Sequence, residues 1–109
     1  MRFVEYQVMA RETALFPIIG HKIVYPALGL AGESGEVSDK IKKIFRDKGG
    51  EFDDKAIESI AAELGDVLWY LATICDVLNI ELEDVAQGNI DKLRSRQQRG
   101  ALHGSGDDR

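Results

Sequence analysis

The sequence predicts an all-α fold, a four-helix bundle-like domain whose two central helices run antiparallel. Apolar residues recur at helical spacing in four successive stretches. The breaks between those stretches fall on Pro17, Gly49-Gly50 and Asn79, residues that end helices or make turns. The two longest stretches are joined only by Lys48-Gly49-Gly50-Glu51-Phe52-Asp53, a connection short enough to set them side by side in opposite directions.

The first helix is expected over residues 2 to about 16, where Phe3, Val4, Tyr6, Gln7, Met9, Ala10, Ala14 and Leu15 give an imperfect amphipathic pattern, and Pro17 ends it. Ile18 to Tyr25 is a connector that holds Gly20 and His21. The second helix opens at Tyr25-Pro26, where a proline costs little, and runs to about Asp47. Gly29, Gly32 and Gly35 recur three apart within it. Glycine costs up to about 1 kcal/mol in a helix interior, so this stripe predicts close approach by another helix or by a ligand. The third helix is capped by Asp53 or Asp54 and runs to about Leu78. Trp69 and Tyr70 lie off its apolar seam and suit either a base pocket or a subunit contact. The fourth helix runs from about Glu81 to Arg96 through Leu82, Val85, Ala86, Ile90 and Leu93. Residues 1–96 thus read as one domain. Residues 97–109 form a Gly/Ser/Arg tail that is either flexible or closes over an anion through its backbone N–H groups.

Length and charge narrow the function. A chain of 109 residues buries only a small core, and helix faces left apolar favour oligomerisation. The net charge of −5 disfavours nucleic acid as a main partner. The single cysteine, Cys75, lies on the apolar seam and leaves no intrachain disulfide, as expected for a cytoplasmic protein. The opening Met1-Arg2-Phe3-Val4-Glu5 has no signal-peptide character, and no apolar run is long enough to cross a membrane.

The chemistry lies in a repeated acidic spacing. Gly29-Leu30-Ala31-Gly32-Glu33-Ser34-Gly35-Glu36-Val37 and Ala62-Glu63-Leu64-Gly65-Asp66-Val67-Leu68-Trp69-Tyr70 each contain acid-x-x-acid, which puts two carboxylates on one helix face. Leu30, Val37, Ile41 and Ile44 define the apolar seam of the second helix; Glu33 and Glu36 lie about 50° and 110° from it. Ile57, Ile60, Leu64, Leu68, Leu71, Cys75 and Leu78 define the seam of the third, with Glu63 and Asp66 about 85° and 145° away in the same rotational sense. In an antiparallel pair with facing seams, equal-handed offsets fall on the same edge. A turn at Gly49-Gly50 sets Glu36 level with Glu63 and Glu33 level with Asp66. Most acid-x-x-acid pairs are merely solvated, but four carboxylates at one height must be protonated, paired or bound to cations. All-oxygen ligands suit Mg²⁺ or Mn²⁺. Lys40 and Lys43 continue this edge and are candidates to pair an acid or touch a phosphate.

Carboxylates, Mg²⁺ and Lys/Arg together make the apparatus of phosphoryl or nucleotidyl chemistry. Competing chemistries lack parts. His21 and His103 are the only histidines and both stand outside the helices, which disfavours di-iron and zinc sites. There is no Walker loop and no Gly-x-Gly-x-x-Gly.

The two acidic elements, followed by Asn89-x-x-Lys92-Leu93-x-x-Arg96, resemble the MazG-like family of all-α nucleoside triphosphate pyrophosphohydrolases, in order over residues 25–99. The tail from Arg99-Gly100 through Gly104-Ser105-Gly106-Asp107 is similar to a phage and bacterial subgroup. The resemblance implies a MazG-type helical core assembled as a dimer or a dimer of dimers. It implies Mg²⁺-dependent hydrolysis of an NTP or dNTP to a monophosphate and pyrophosphate, in the upkeep of nucleotide pools. It assigns Glu33, Glu36, Glu63 and Asp66 to the metals and to catalysis, and Asn89, Lys92 and Arg96 to substrate contacts. Lys43 and Arg46 are further substrate-contact candidates. Some members carry a third acid where this chain has Gly32. The common Tyr-Pro-x-Gly-Phe ending is replaced by Gln97-Gln98-Arg99-Gly100-Ala101. Two other readings stand beside this one: an all-α pyrophosphatase restricted to dUTP or dCTP, and a non-catalytic helical dimerisation or regulatory module.

Overall fold

The chain, described here over residues 1–109 by a computed structural model, forms four helices and no strand: α1 (Phe3–Arg11), α2 (Val24–Lys48), α3 (Asp54–Val77) and α4 (Leu82–Gln98). Three of them follow the predicted spans to within two residues. The first is shorter than expected and stops at Arg11, well before Pro17. The amides of Glu12 and Thr13 bond back to the carbonyls of Met9 and Ala10, three residues behind, which tightens and closes the last turn. The Thr13 hydroxyl donates to the same Ala10 carbonyl at 3.1 Å, a local bond that competes with continuing the helix.

The other boundaries follow local chemistry. Helix α2 ends in Gly49 and Gly50 at φ +63° and +80°, and the Gly50 amide reaches back to the Ile44 carbonyl at 3.1 Å. The Asp53 carboxylate caps α3 by accepting the Ala56 N–H at 2.8 Å, an interaction worth about 1 kcal/mol. Asn79 takes φ +57° and turns the chain out of α3, with the Ile80 amide bonded to the Cys75 carbonyl at 2.9 Å.

Helices α2 and α3 form the main packed pair. Rising numbers along α2 meet falling numbers along α3: Gly29 lies against Tyr70 and Lys40 against Ser59. Of the three spaced glycines, only Gly29 is closely approached. A Cβ there would stand 2.2 Å from the Tyr70 ring, whereas Gly32 and Gly35 face open space.

A second packing centre joins α1, α3 and α4. Ala10, Ala72, Cys75 and Leu82 are buried together, flanked by Tyr6, Leu68 and Trp69. Gln7 is buried beside them and uses its whole amide. Its Nε2 donates to Asp76 Oδ1 (2.8 Å) and to the Ile80 carbonyl (3.0 Å), and its Oε1 accepts the Leu82 N–H (2.8 Å). Arg11 grips both oxygens of the same Asp76 at 2.8 and 2.9 Å. Asp76 is held below the ordinary carboxylate range, chiefly by Arg11.

Little else is enclosed. Ten of the 109 residues are buried, and the radius of gyration is 16.8 Å against about 13 Å for a compact chain of this size. Four of the seven residues of the seam expected on α3 face outward: Ile57, Leu64, Leu71 and Leu78, each seven residues from the next, are 38–54 % exposed. Ala56 and Ile60 of α3 instead line one hollow with Ile44 of α2, so the apolar stripe of α3 is wider than one neighbour covers.

Candidate metal centre

Three of the four predicted acids converge. Glu33 from α2 and Glu63 and Asp66 from α3 each bring a carboxylate oxygen within 4.8 Å of the others. Residue three apart and level across the pair is what α-helical geometry gives to positions 63, 66 and 33. Glu36 does not join them. It is exposed, while Lys40, one turn further along α2, takes the place beside Glu63 with its Nζ 3.0 Å away. The same ammonium donates to Ser59 Oγ at 2.8 Å and to the Ser59 carbonyl at 3.2 Å.

The electrostatics follow. Glu33 is pushed above the ordinary carboxylate value, first by its side-chain contact with Glu63, then by partial desolvation and by the charges of Glu63, Asp66 and Glu36. Glu63 is held below its ordinary value, first by Lys40 and then by its bond with Glu33. One ammonium, paired with Glu63, thus stands against three crowded carboxylates, and negative charge is left in excess. A hard divalent cation answers the same excess with the same oxygens, so the donor set fits Mg²⁺ or Mn²⁺.

Aromatic walls stand beside the acids. Thr13, Glu33, Asp66, Trp69 and Tyr70 line an open cleft of about 340 Å³. Trp69 and Tyr70 meet edge to face at 5.0 Å, and the Trp69 indole N–H donates to Thr13 Oγ1 at 2.9 Å. The Tyr70 hydroxyl is pushed above its ordinary value by burial, then by its neighbours Tyr25 and Glu33. Thr13 carries no sequence signal of its own. Only the early end of α1 brings it to the cleft.

The predicted basic residues divide. Lys43 pairs with Asp39 (2.7 Å) and Arg46 with Asp47 (2.8 Å), both on their own helix. Lys43 also lines, with Lys40, Lys48 and Lys55, a hollow of about 230 Å³ over Ile44 and Ile60. Asn89 is exposed on α4. Lys92 and Arg96 are both engaged with Asp107 of the tail, at 3.0 and 2.9 Å. Helix α4 packs on α1 and α3 and not on α2, so within one copy Asn89, Lys92 and Arg96 do not join the carboxylate group.

The chain is thus an all-helical protein with an acidic pair on each of two packed helices. The family model of the MazG nucleotide pyrophosphohydrolase domain matches residues 26–100, and the chain belongs to that family. It is also similar to the Gene 37 protein of Mycobacterium phage L5, with 43 % identity over 109 residues, covering 95 % of this chain and 96 % of that protein. No solved structure matches. No helix is long and apolar enough to cross a membrane.

Proposed function

We propose that the protein hydrolyses nucleoside triphosphates, NTP or dNTP, to the monophosphate and pyrophosphate in a Mg²⁺-dependent reaction. The observation that carries this reading is the convergence of Glu33, Glu63 and Asp66 in a chain of the MazG family. These three residues would hold the metal, with Glu36 close by. A bound Mg²⁺ supplies charge neutralisation at the phosphate oxygens and polarises the attacked phosphorus.

The chain's own groups supply the rest. Water attacks the α-phosphorus, the α–β bridging bond breaks, and pyrophosphate leaves with the bridging oxygen. Glu36 makes no ion pair and stands one turn from Glu33, which fits it to take the proton of the attacking water. Trp69 and Tyr70 offer flat faces to a base in the cleft beside the acids. Lys40 balances Glu63 before substrate arrives. Lys92 keeps donors free for a phosphate, and since within one copy it stands apart from the acids, it would serve a nucleotide held on the acids of a second copy in the oligomer proposed below.

We further propose a homo-oligomer, a dimer or a dimer of dimers, with α2 and α3 as its antiparallel centre. The outward line Ile57, Leu64, Leu71 and Leu78 supports it, since a second copy would cover what one copy leaves exposed. Light scattering on the eluted protein tests this, and a monomer at micromolar concentration would refute it.

Product analysis with a panel of NTPs and dNTPs, with and without Mg²⁺, tests the reaction. Monophosphate and pyrophosphate formed only with metal are expected. Diphosphate and phosphate would overturn the assigned bond, and no turnover of any nucleotide would overturn the reading.

A further inference from the structure

The segment after α4 folds back along that helix and is knitted to it. Arg96 is the centre of the contact: it is 3 % exposed, and its Nη2 donates to both the backbone carbonyl and the carboxylate of Asp107. Its Nε is buried and has no partner. Lys92, one turn earlier, donates to the same Asp107 oxygen at 3.0 Å. Arg109 closes the segment from the other end, donating to the carbonyls of Ala101 (3.0 Å), Leu102 (3.1 Å) and Gly106. Arg99 donates to the Arg109 carbonyl at 2.9 Å.

This arrangement separates the two cations of α4. No phosphate reaches the Arg96 guanidinium while the segment lies over it. Lys92 is different. Its side chain is 39 % exposed, and an ammonium has three donors, of which Asp107 uses one. A carboxylate that merely plugged a phosphate site would be held by the cations it blocks and little else. Here the segment is also closed on itself by one guanidinium bonded to three carbonyls, which marks a built part of the fold.

We propose that Asp107 is a positioning residue: it ties segment 99–109 to α4 through Arg96 and fixes the Lys92 ammonium for a phosphate group of the substrate, with Arg96 an anchor for the segment rather than a phosphate contact. The role given to Lys92 rests on the pyrophosphohydrolase reading; the role given to Arg96 does not.

The test uses the full chain with Asp107→Asn, Asp107→Glu and Lys92→Ala. Wild-type turnover on the nucleotide panel is measured first, and its absence would sink the pyrophosphohydrolase reading alone. Two further readouts do not need turnover: calorimetric binding of inorganic pyrophosphate with Mg²⁺, and protease cleavage within residues 99–109. Asp107→Asn is expected to weaken pyrophosphate binding and raise KM about tenfold, with kcat within twofold, and to expose the segment to cleavage. Asp107→Glu is expected to restore both, and Lys92→Ala to weaken binding equally while the segment stays protected. Helical signal and melting temperature confirm that each variant is folded. Unchanged binding in folded Asp107→Asn would overturn the proposal. Tighter binding would overturn it in favour of a carboxylate that competes with phosphate, and an intact segment would remove Arg96 as its anchor.

Discussion

The two charged regions of the molecule are both built on neighbours along a helix face, three apart in one and four apart in the other, and settle their charge in different ways. On the α2–α3 edge, residues 63 and 66 of one helix and 33 of the other crowd three carboxylates near one ammonium, and Glu33 is pushed above the ordinary carboxylate value. On α4, residues 92 and 96 set two cations around one carboxylate that the chain itself provides, and Asp107 is driven to about 2. The first carries more negative charge than the chain's own cation balances. The second is tied down from within the chain at Arg96, while Lys92 keeps donors to spare. The lesson is that an acid or a base at helical spacing says little until its counter-charge is found.

The sharpest way to break this contrast is at the acidic end. Glu63→Gln removes the carboxylate that both Glu33 and Lys40 contact; turnover should fall by about two orders of magnitude or more with helical content unchanged. A wild-type rate in that variant would refute the metal-centre assignment. Next in size is Lys92→Ala, expected to raise KM about tenfold while leaving Mg²⁺ affinity intact, measured by metal titration alongside kinetics.

A third prediction concerns what holds the two ends together. Gln7→Ala strips the partners from the Leu82 amide and the Ile80 carbonyl at the α1–α3–α4 junction. Leaving such groups unmet costs about 1–3 kcal/mol, so the melting temperature should drop by several degrees or more. An unchanged melting curve would show that water replaces the glutamine freely.

The smallest effect belongs to pH. Asp107 lies at about 2 in the folded chain against an ordinary 3.8, because Arg96 and then Lys92 favour its charged form. A lowered carboxylate stabilises the fold above its unfolded value and loses that contribution as pH falls. Segment 99–109 should therefore stay fastened down to about pH 4 and loosen between about 4 and 2. Amide hydrogen exchange of the segment reads this directly, and a pH-independent rate of opening, after correction for intrinsic exchange, would contradict it.

Much of this was legible in the residues. Gly49-Gly50, Asp53 and Asn79 mark helix ends because their backbone or side-chain chemistry is local, and local chemistry survives folding. The convergence of Glu33 with Glu63 and Asp66 follows from hand and register, both of which are counted along a chain. What periodicity could not show is which of several level side chains turns inward. Glu36 loses the place beside Glu63 to Lys40, whose longer stem and opposite charge fit the gap. The early end of α1 was hidden for a similar reason: Ala14 and Leu15 fit a helical pattern, but the Thr13 hydroxyl and the Trp69 indole hold the chain in a turn. Asp107 is further still from any pattern. Its partners are set by the fold-back of a Gly-rich segment, whose composition alone does not specify a course.

Trp69 has a consequence beyond packing. It is the only tryptophan in the chain, it stands in the cleft beside Glu33 and Asp66, and its indole N–H is fixed to Thr13. The protein thus carries its own optical gauge at the candidate site. Any base that stacks there, or any ion that draws the acids together, must alter the emission of a single fluorophore, so occupancy of the cleft can be followed in the unlabelled molecule as it happens.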